Sequence, residues 1–150
     1  MISSQHVAIV RQLGAIYGMA VPFNYLWELA QARLYVGTDG AQIASWLCFL
    51  ASVADGLLVL LIFALGWITF GRWDWFKKPG VRGYLLMLAT GLAIAVSAEW
   101  VTVYGLRWWS YSPLMPLLPW LRVGLAPVAQ MLVIPPLVFR VAALWRAYAQ

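Results

Sequence analysis

The feature that most constrains the fold of this chain is an uninterrupted apolar segment over residues 43–70. Its sequence is IASWLCFLASVADGLLVLLIFALGWITF, with Asp55 as the single charged residue. Roughly 20 helical residues cross the hydrocarbon core of a bilayer, so a helix of this length can span a membrane. A carboxyl group in hydrocarbon costs several kcal/mol unless it is paired, protonated or functional. The segment therefore predicts a membrane-spanning helix, and Asp55 is its candidate functional residue.

The composition of the whole chain is also that of a membrane protein. Of the 150 residues, 64% are hydrophobic and 10% are charged, whereas a soluble domain carries about 25% charged residues. Ten tryptophans are typical of the aromatic belts at membrane interfaces. Residues 71–83, GRWDWFKKPGVRG, mix basic and aromatic side chains, which predicts a loop against lipid headgroups. The net charge of +5 is attributed to such loops, and nucleic acid is not expected as a partner.

Three further segments complete the predicted fold, which is an all-α integral membrane protein. We expect a four-helix bundle with antiparallel neighbours that forms a single domain over residues 1–150. Prolines should bend the first helix and break the fourth, because proline lacks a backbone donor and clashes with the preceding turn. Prolines and aromatic residues over residues 107–120 predict an exoplasmic shelf between the third and fourth helices. The predicted spans are approximately residues 13–35, 43–70, 84–106 and 121–144, and the prolines within them are Pro22, Pro127, Pro135 and Pro136.

Basic residues predict how the bundle is oriented. With four spans, both termini and the middle loop lie on one side of the membrane. That side holds seven of the ten Lys and Arg residues and the opposite side holds three, so both termini are predicted to be cytoplasmic by the positive-inside rule. We expect a multi-pass protein of a bacterial-type inner (plasma) membrane. The seven are Arg11, Arg72, Lys77, Lys78, Arg82, Arg140 and Arg146, and the three are Arg33, Arg107 and Arg122.

Each of the first three spans carries one acidic residue on a polar or small-residue face. Asn24, Glu28 and Gln31 are three or four residues apart, so they share one side of a helix. In the third span, Glu99 shares its face with Gly91 and Ala95, which would let a neighbouring helix approach closely. At roughly 1.5 Å of rise per residue, all three acids are expected in the exoplasmic half of the membrane.

These acids have two interpretations. In the first, they line a polar pocket that is open to the exoplasmic side, where carboxylates can bind a cation, relay protons or act as acid and base. In the second, each glutamate forms an interfacial ion pair with the arginine at the end of its span, Arg33 or Arg107. Asp55 would then hydrogen-bond Ser52 or a neighbouring helix. The candidate ligand-binding residues of the pocket, in which aromatic side chains would contact the apolar part of a ligand, are Asp55, Glu28, Glu99, Asn24, Gln31, Gln130, Trp100, Trp108 and Tyr111.

Other residues that could carry chemistry are few. A single cysteine, Cys48, excludes an intramolecular disulfide and supports no cysteine metal site. A single histidine, His6, cannot form a metal site alone, and bis-histidine haem is excluded within the chain. No nucleotide-binding, serine hydrolase or zinc protease motif occurs. No cofactor or metal is expected, no catalytic residue is identified, and the sequence leaves open whether the protein is an enzyme.

Three functional hypotheses follow from these patterns. The leading one is a small polytopic protein that binds or transports an amphipathic or cationic small molecule in the carboxylate pocket. The second is a non-catalytic subunit of a larger membrane complex, in which the polar stripes face a partner. The third is an intramembrane enzyme that modifies a lipid or an isoprenoid, with Glu99 and Asp55 as acid and base. The expected partners are membrane lipids, a hydrophobic or cationic small molecule, and other subunits in a homo-oligomer or a larger complex.

Overall fold

Four long helices make up most of the chain. The computed structural model describes residues 4–148, with side-chain surroundings for residues 6–145. The helices are α1 (Ser4–Gln31), α2 (Ser45–Phe70), α3 (Gly80–Glu99) and α4 (Leu125–Tyr148). The third is followed directly by a π-helical segment, Trp100–Gly105. The connections contain two strands, β1 (Tyr35–Gly37) and β2 (Trp109–Tyr111), and two 3₁₀ turns, Ala32–Leu34 and Trp75–Lys77.

Three helices in the described part of the chain are long and apolar enough to cross a membrane. They are Ser45–Phe70, Gly80–Gly105 and Leu125–Trp145, which correspond to the second, third and fourth predicted spans. The first helix has 28 residues and is long enough, but polar side chains such as Gln12 and Asn24 make it less apolar than the other three. The second, third and fourth predicted spans thus have the length and composition that crossing a membrane requires.

The helices form a ring in which direction alternates. α1 packs against α2 and α4, and α4 packs against α3, whereas α2 and α3 contact each other least. Two connections, between α1 and α2 and between α3 and α4, lie together at one end, here called the ribbon end. The connection between α2 and α3, residues 71–79, lies at the opposite end, here called the loop end. Sequence neighbours are therefore antiparallel, as predicted.

A two-stranded ribbon joins the two connections at the ribbon end. β1 and β2 pair antiparallel, with Tyr35 opposite Tyr111 and Gly37 opposite Trp109. The pairing continues where the Ser112 N–H donates to the Leu34 carbonyl at 2.9 Å. The predicted proline and aromatic shelf therefore contains a strand that is tied to the loop between α1 and α2. This pairing was not predicted from the sequence.

Helix α4 is continuous, so the predicted breaks at Pro127 and Pro135–Pro136 are wrong. Pro127 lies in the first turn, where a missing N–H costs no helical bond, and the Val123 carbonyl accepts instead from Leu118 N at 2.8 Å. Pro135 leaves the carbonyl of Met131 without its helical donor. That carbonyl packs against Gly91 of α3, where an added Cβ would lie 2.4 Å from the oxygen. The close approach expected on the face of Gly91 is thereby confirmed.

An aromatic cluster fills the loop end of the bundle. Trp75 and Phe76 are buried there with Phe63 of α2 and Phe139 of α4, and the Trp75 Nε1–H donates to the Phe63 carbonyl at 3.0 Å. Gly66 provides the space, because a Cβ at that position would lie 2.1 Å from the Trp75 ring. Both aromatic residues were expected at the lipid headgroups, so for them this prediction is wrong.

Candidate functional site

A cavity of about 340 Å³ lies in the half of the bundle nearer the ribbon end. Every helix contributes a strongly polar side chain to its wall: Glu28 and Gln31 come from α1, Asp55 from α2, Glu99 from α3 and Gln130 from α4. The acids predicted to converge therefore share one space. The lining on the α2 and α3 sides is apolar or small, with residues Leu47, Leu50, Ala51, Ala54, Leu58, Ile94, Ala95 and Ala98, and Met131 and Pro127 of α4 complete it.

Gln130 is the centre of a hydrogen-bond network that joins three helices. Its amide nitrogen donates to Asn24 Oδ1 at 2.9 Å and to Asp55 Oδ2 at 2.8 Å. Its amide oxygen accepts from Gln31 Nε2 at 3.0 Å. Gln31 also donates to Glu28 Oε1 at 2.9 Å. Both donors and the acceptor of the Gln130 amide are thus used, which orients the side chain firmly.

Glu28 and Asp55 form the first of two carboxyl sites in the cavity. Both carboxyl groups line the cavity, and a chain of hydrogen bonds from Asp55 through Gln130 and Gln31 to Glu28 connects them. Two carboxylates that share a buried site repel each other unless a proton or a positive charge compensates them. This pair can therefore hold either a proton or a positively charged group. Among the described residues that line the cavity, none is Lys, Arg or His.

Glu99 forms the second site and is held by the ribbon. Tyr111 donates its hydroxyl to Glu99 Oε2 at 2.6 Å, and Tyr35 donates to both carboxyl oxygens at 3.2 Å. Gly124 N in turn donates to the Tyr111 hydroxyl oxygen at 3.0 Å. Burial, and then the hydrogen bond to Glu99, raises the pKa of Tyr111 above its ordinary value. Tyr111 therefore remains a neutral donor, and the pairing of β1 with β2 fixes where the carboxyl group points.

The ion pairs of the second interpretation do not hold these glutamates. Glu28 is bonded by Gln31 and Glu99 by two tyrosines, while Arg33 and Arg107 are exposed. In the described part of the chain, the recorded salt bridge is the one between Arg72 and Asp74 at the loop end, at 3.5 Å. For Asp55, Ser52 is not a partner either, because its hydroxyl donates to the Phe49 carbonyl. Its bond to Gln130 does join α2 to α4, as that interpretation expected of a neighbouring helix.

The predicted site residues divide into those on the cavity wall and those outside it. Six of the nine line the cavity: Glu28, Gln31, Asp55, Glu99, Trp108 and Gln130. Asn24 lies one bond behind the wall and supports Gln130, and Tyr111 supports Glu99 from the ribbon. Trp100 lies elsewhere, since its side chain is half exposed and its Nε1–H donates to the Leu121 carbonyl. Of the π-helical segment that begins at this residue, Thr102 lines the cavity and Val103 is buried.

Several lining residues were not predicted. Tyr35 and Cys48 lie at helical sequence spacings from Gln31 and Asp55, so the periodicity that revealed the acids could have indicated both, although Tyr35 lies in β1. Trp109 gave no signal, because its position depends on the pairing of β2 with a strand far away in sequence. Its indole N–H is buried without a hydrogen-bond partner among the described residues, so one donor in the cavity wall is unused.

No metal centre is indicated by the arrangement. Among the described residues, no three His, Cys, Asp or Glu side chains lie close enough together to hold a metal ion. Glu99 is bonded to the ribbon, apart from the pair formed by Glu28 and Asp55. Comparisons of the chain with protein-family models, with curated proteins and with solved structures found no match. Function therefore has to be inferred from the geometry of the cavity.

Proposed function

We propose that this protein binds or transports an amphipathic small molecule with a cationic group, and that the carboxylate cavity is its binding site. The observation that carries the proposal is the convergence of three acids from three helices on a cavity whose described lining contains no basic side chain. Its volume of about 340 Å³ lies in the range of small-molecule sites, roughly 300–1,000 Å³. A buried carboxylate needs a compensating charge, and a bound cation would supply it.

The lining has two kinds of surface, which match the two parts of such a ligand. Glu28, Asp55 and Glu99 are suited to the cationic group. Trp108 and Trp109 lie at the ribbon end of the same space, and an aromatic face attracts a cation as well as apolar groups. The aliphatic wall of α2 and α3 suits the remaining apolar part.

The proposed setting is a four-span bundle in a bacterial-type inner membrane with both termini in the cytoplasm. In this arrangement α1 crosses the membrane beside α2 and α4. Asn24 and Gln31 take part in the hydrogen-bond network beside the cavity, and Gln12 is buried in the bundle rather than exposed to lipid. The ribbon end, with three of the basic residues, would be exoplasmic. The loop end, with most of the basic residues, would be cytoplasmic.

Neutralisation of the acids tests the binding site. We expect Asp55→Asn and Glu99→Gln each to weaken binding of dodecyltrimethylammonium, an amphipathic cation, by about tenfold or more, since a hydrogen bond to a charged group is worth roughly 1.5–3 kcal/mol. The measurement is equilibrium binding to protein in lipid nanodiscs, corrected with empty nanodiscs. Asp74→Asn is the matched control, because this acid lies at the loop end and pairs with Arg72. Unchanged affinity in both cavity variants would exclude the proposed site.

A further inference from the structure

The side of the cavity between α2 and α3, here called the seam, has the sparsest contact between neighbouring helices among the described residues. On the α1 and α4 sides, Gln130 accepts from Gln31 and donates to Asn24, so hydrogen bonds join these two helices. At the ribbon end the strands lie over the cavity, with Tyr35 and Trp109 in its lining. Toward the loop end the interior is filled by buried Val59 and the aromatic cluster. Along the seam, by contrast, α2 and α3 contact each other least of the neighbouring helices.

The residues along this seam belong to the cavity and to the outer surface at the same time. Leu50 lines the cavity although 53% of its surface is exposed. Ala54 also lines the cavity and is exposed, and Ala98 across the seam is half-buried. Exposed or half-buried lining residues thus lie on both α2 and α3 along the seam. Together with the sparse contact between these two helices, they indicate a sideways opening of the cavity between α2 and α3.

The border of this opening is apolar and belongs to two helices that are long and apolar enough to cross a membrane. Ala51 and Ala54 of α2 and Ala98 of α3 are small lining residues on its two sides. Leu58 and Ile94 continue the same apolar border toward the loop end. Both helices are long and apolar enough to span a bilayer, so at this depth the opening faces hydrocarbon rather than water.

We infer that the ligand is a membrane-dissolved amphiphile with one cationic headgroup and a single hydrocarbon chain, and that it enters sideways between α2 and α3. The headgroup reaches the carboxyl groups of Glu28 and Asp55, and the chain lies along the seam, between Leu50 and Ala54 on one side and Ala98 on the other. This inference rests on the proposed function. It adds the route of entry and the hydrocarbon chain of the ligand. A water-soluble cation that entered at the ribbon end would make no contact with an apolar opening between α2 and α3.

Substitutions that fill the seam test whether the hydrocarbon chain of the ligand lies there. We expect Ala54→Phe and Ala98→Phe each to weaken dodecyltrimethylammonium binding at least about tenfold, and to change the affinity for tetramethylammonium, which has the headgroup alone, by less than twofold. Ala93→Phe is the matched control, since Ala93 lies on the exposed surface of α3 outside the cavity lining. The measurement is binding to protein in nanodiscs of zwitterionic lipid, with affinity expressed per mole of lipid.

The outcomes separate this inference from the function on which it rests. If Asp55→Asn weakens binding of both probes while the seam variants bind dodecyltrimethylammonium as the wild type does, lateral entry is overturned and the carboxylate site stands. If Asp55→Asn and Glu99→Gln change neither affinity, the proposed function itself fails.

A second measurement with wild-type protein keeps the inference testable if the seam variants fold poorly. Dodecyltrimethylammonium with a diazirine at the end of its chain should label α2 over residues 47–58 and α3 over residues 94–98. Competition by the unmodified probe should remove this labelling. Competed labelling confined to the ribbon would place the chain elsewhere and overturn the inference.

Discussion

The two ends of this bundle are built on opposite principles. At the loop end, Trp75 is completely buried in a pocket whose width is set by Gly66, and the helices are joined by the fit of aromatic rings. At the ribbon end, Gln130 joins three helices by hydrogen bonds and a cavity of about 340 Å³ remains beside it. Close packing stabilises a helix contact but leaves no room for a ligand. Hydrogen bonds between long side chains can join helices whose backbones are further apart, so they can stabilise a bundle around an open space.

The largest expected effect is on the packed end. Trp75→Ala removes the central ring of the aromatic cluster and should lower the free energy of unfolding by about 3–5 kcal/mol. Trp73→Ala, in the same loop, should cost much less, because Trp73 is only half-buried and stacks under the Lys77 ammonium at 5.2 Å. Unfolding in mixed micelles measures both. If the loop end contributes stability and the ribbon end contributes binding, folded Trp75→Ala protein still binds dodecyltrimethylammonium within twofold of the wild type. A parallel loss of binding would show that the two ends are not independent.

A pair of buried glutamines gives a sharper comparison. Gln130→Leu leaves Asn24, Gln31 and Asp55 without their shared partner. It should lower the free energy of unfolding by about 2 kcal/mol, because a hydrogen bond between membrane helices is worth roughly 0.6 kcal/mol and unpaired buried polar groups add a penalty. Gln12 is equally buried, 1% exposed, but neither polar atom of its amide has a partner among the described residues. Gln12→Leu should therefore be neutral or stabilising in the same unfolding assay.

The opposite order of stabilities for the two glutamine variants would contradict the view that a hydrogen-bond network holds the ribbon end together. Equal destabilisation by both would mean that glutamine contributes by its volume, as an apolar side chain does.

The smallest effect is expected at the ribbon. Tyr111→Phe removes a hydrogen bond to Glu99 and one from Gly124, so it should lower stability by about 1 kcal/mol at neutral pH. The pKa of Tyr111 is raised in the folded protein, so its contribution is complete at neutral pH and is lost as the pH rises past about 10, the ordinary tyrosine value, toward the folded-state value. Stability measured from pH 8 to pH 11 should fall less steeply in Tyr111→Phe than in the wild type. Parallel curves would show that this hydroxyl does not titrate differently on folding.

Sequence patterns were informative where the physical cause is local. The length of an apolar run decides whether a helix can cross hydrocarbon, so α2 was predicted within two residues at its start and to the residue at its end. Helical periodicity decides which side chains share a face, so Glu28 and Gln31 could be assigned to one stripe. The opposing stripes could then be expected to meet, because polar groups in hydrocarbon are stable only beside one another.

Features that depend on distant partners could not be predicted in this way. From local hydropathy, the first helix was predicted to begin at residue 13. In the structure it begins at Ser4, and its additional turns carry Gln12 into the interior. Trp75 has the sequence context of an interfacial residue, and only the space beside Gly66, nine residues earlier and on another element, explains its burial. The strands have three residues each, too few for a pattern, and each is stabilised by the other across a long separation in sequence.

The position of Cys48 has a practical consequence. It is the single cysteine of the chain, its thiol is free, and it lies in the wall of the cavity with its sulfur 3.8 Å from the Glu28 carbonyl oxygen. A fluorinated alkylating reagent would thus attach at one place only, with no engineered background, and its ¹⁹F resonance would report in real time on whatever occupies the neighbouring space. The wild-type chain therefore already carries a single attachment site for a spectroscopic probe.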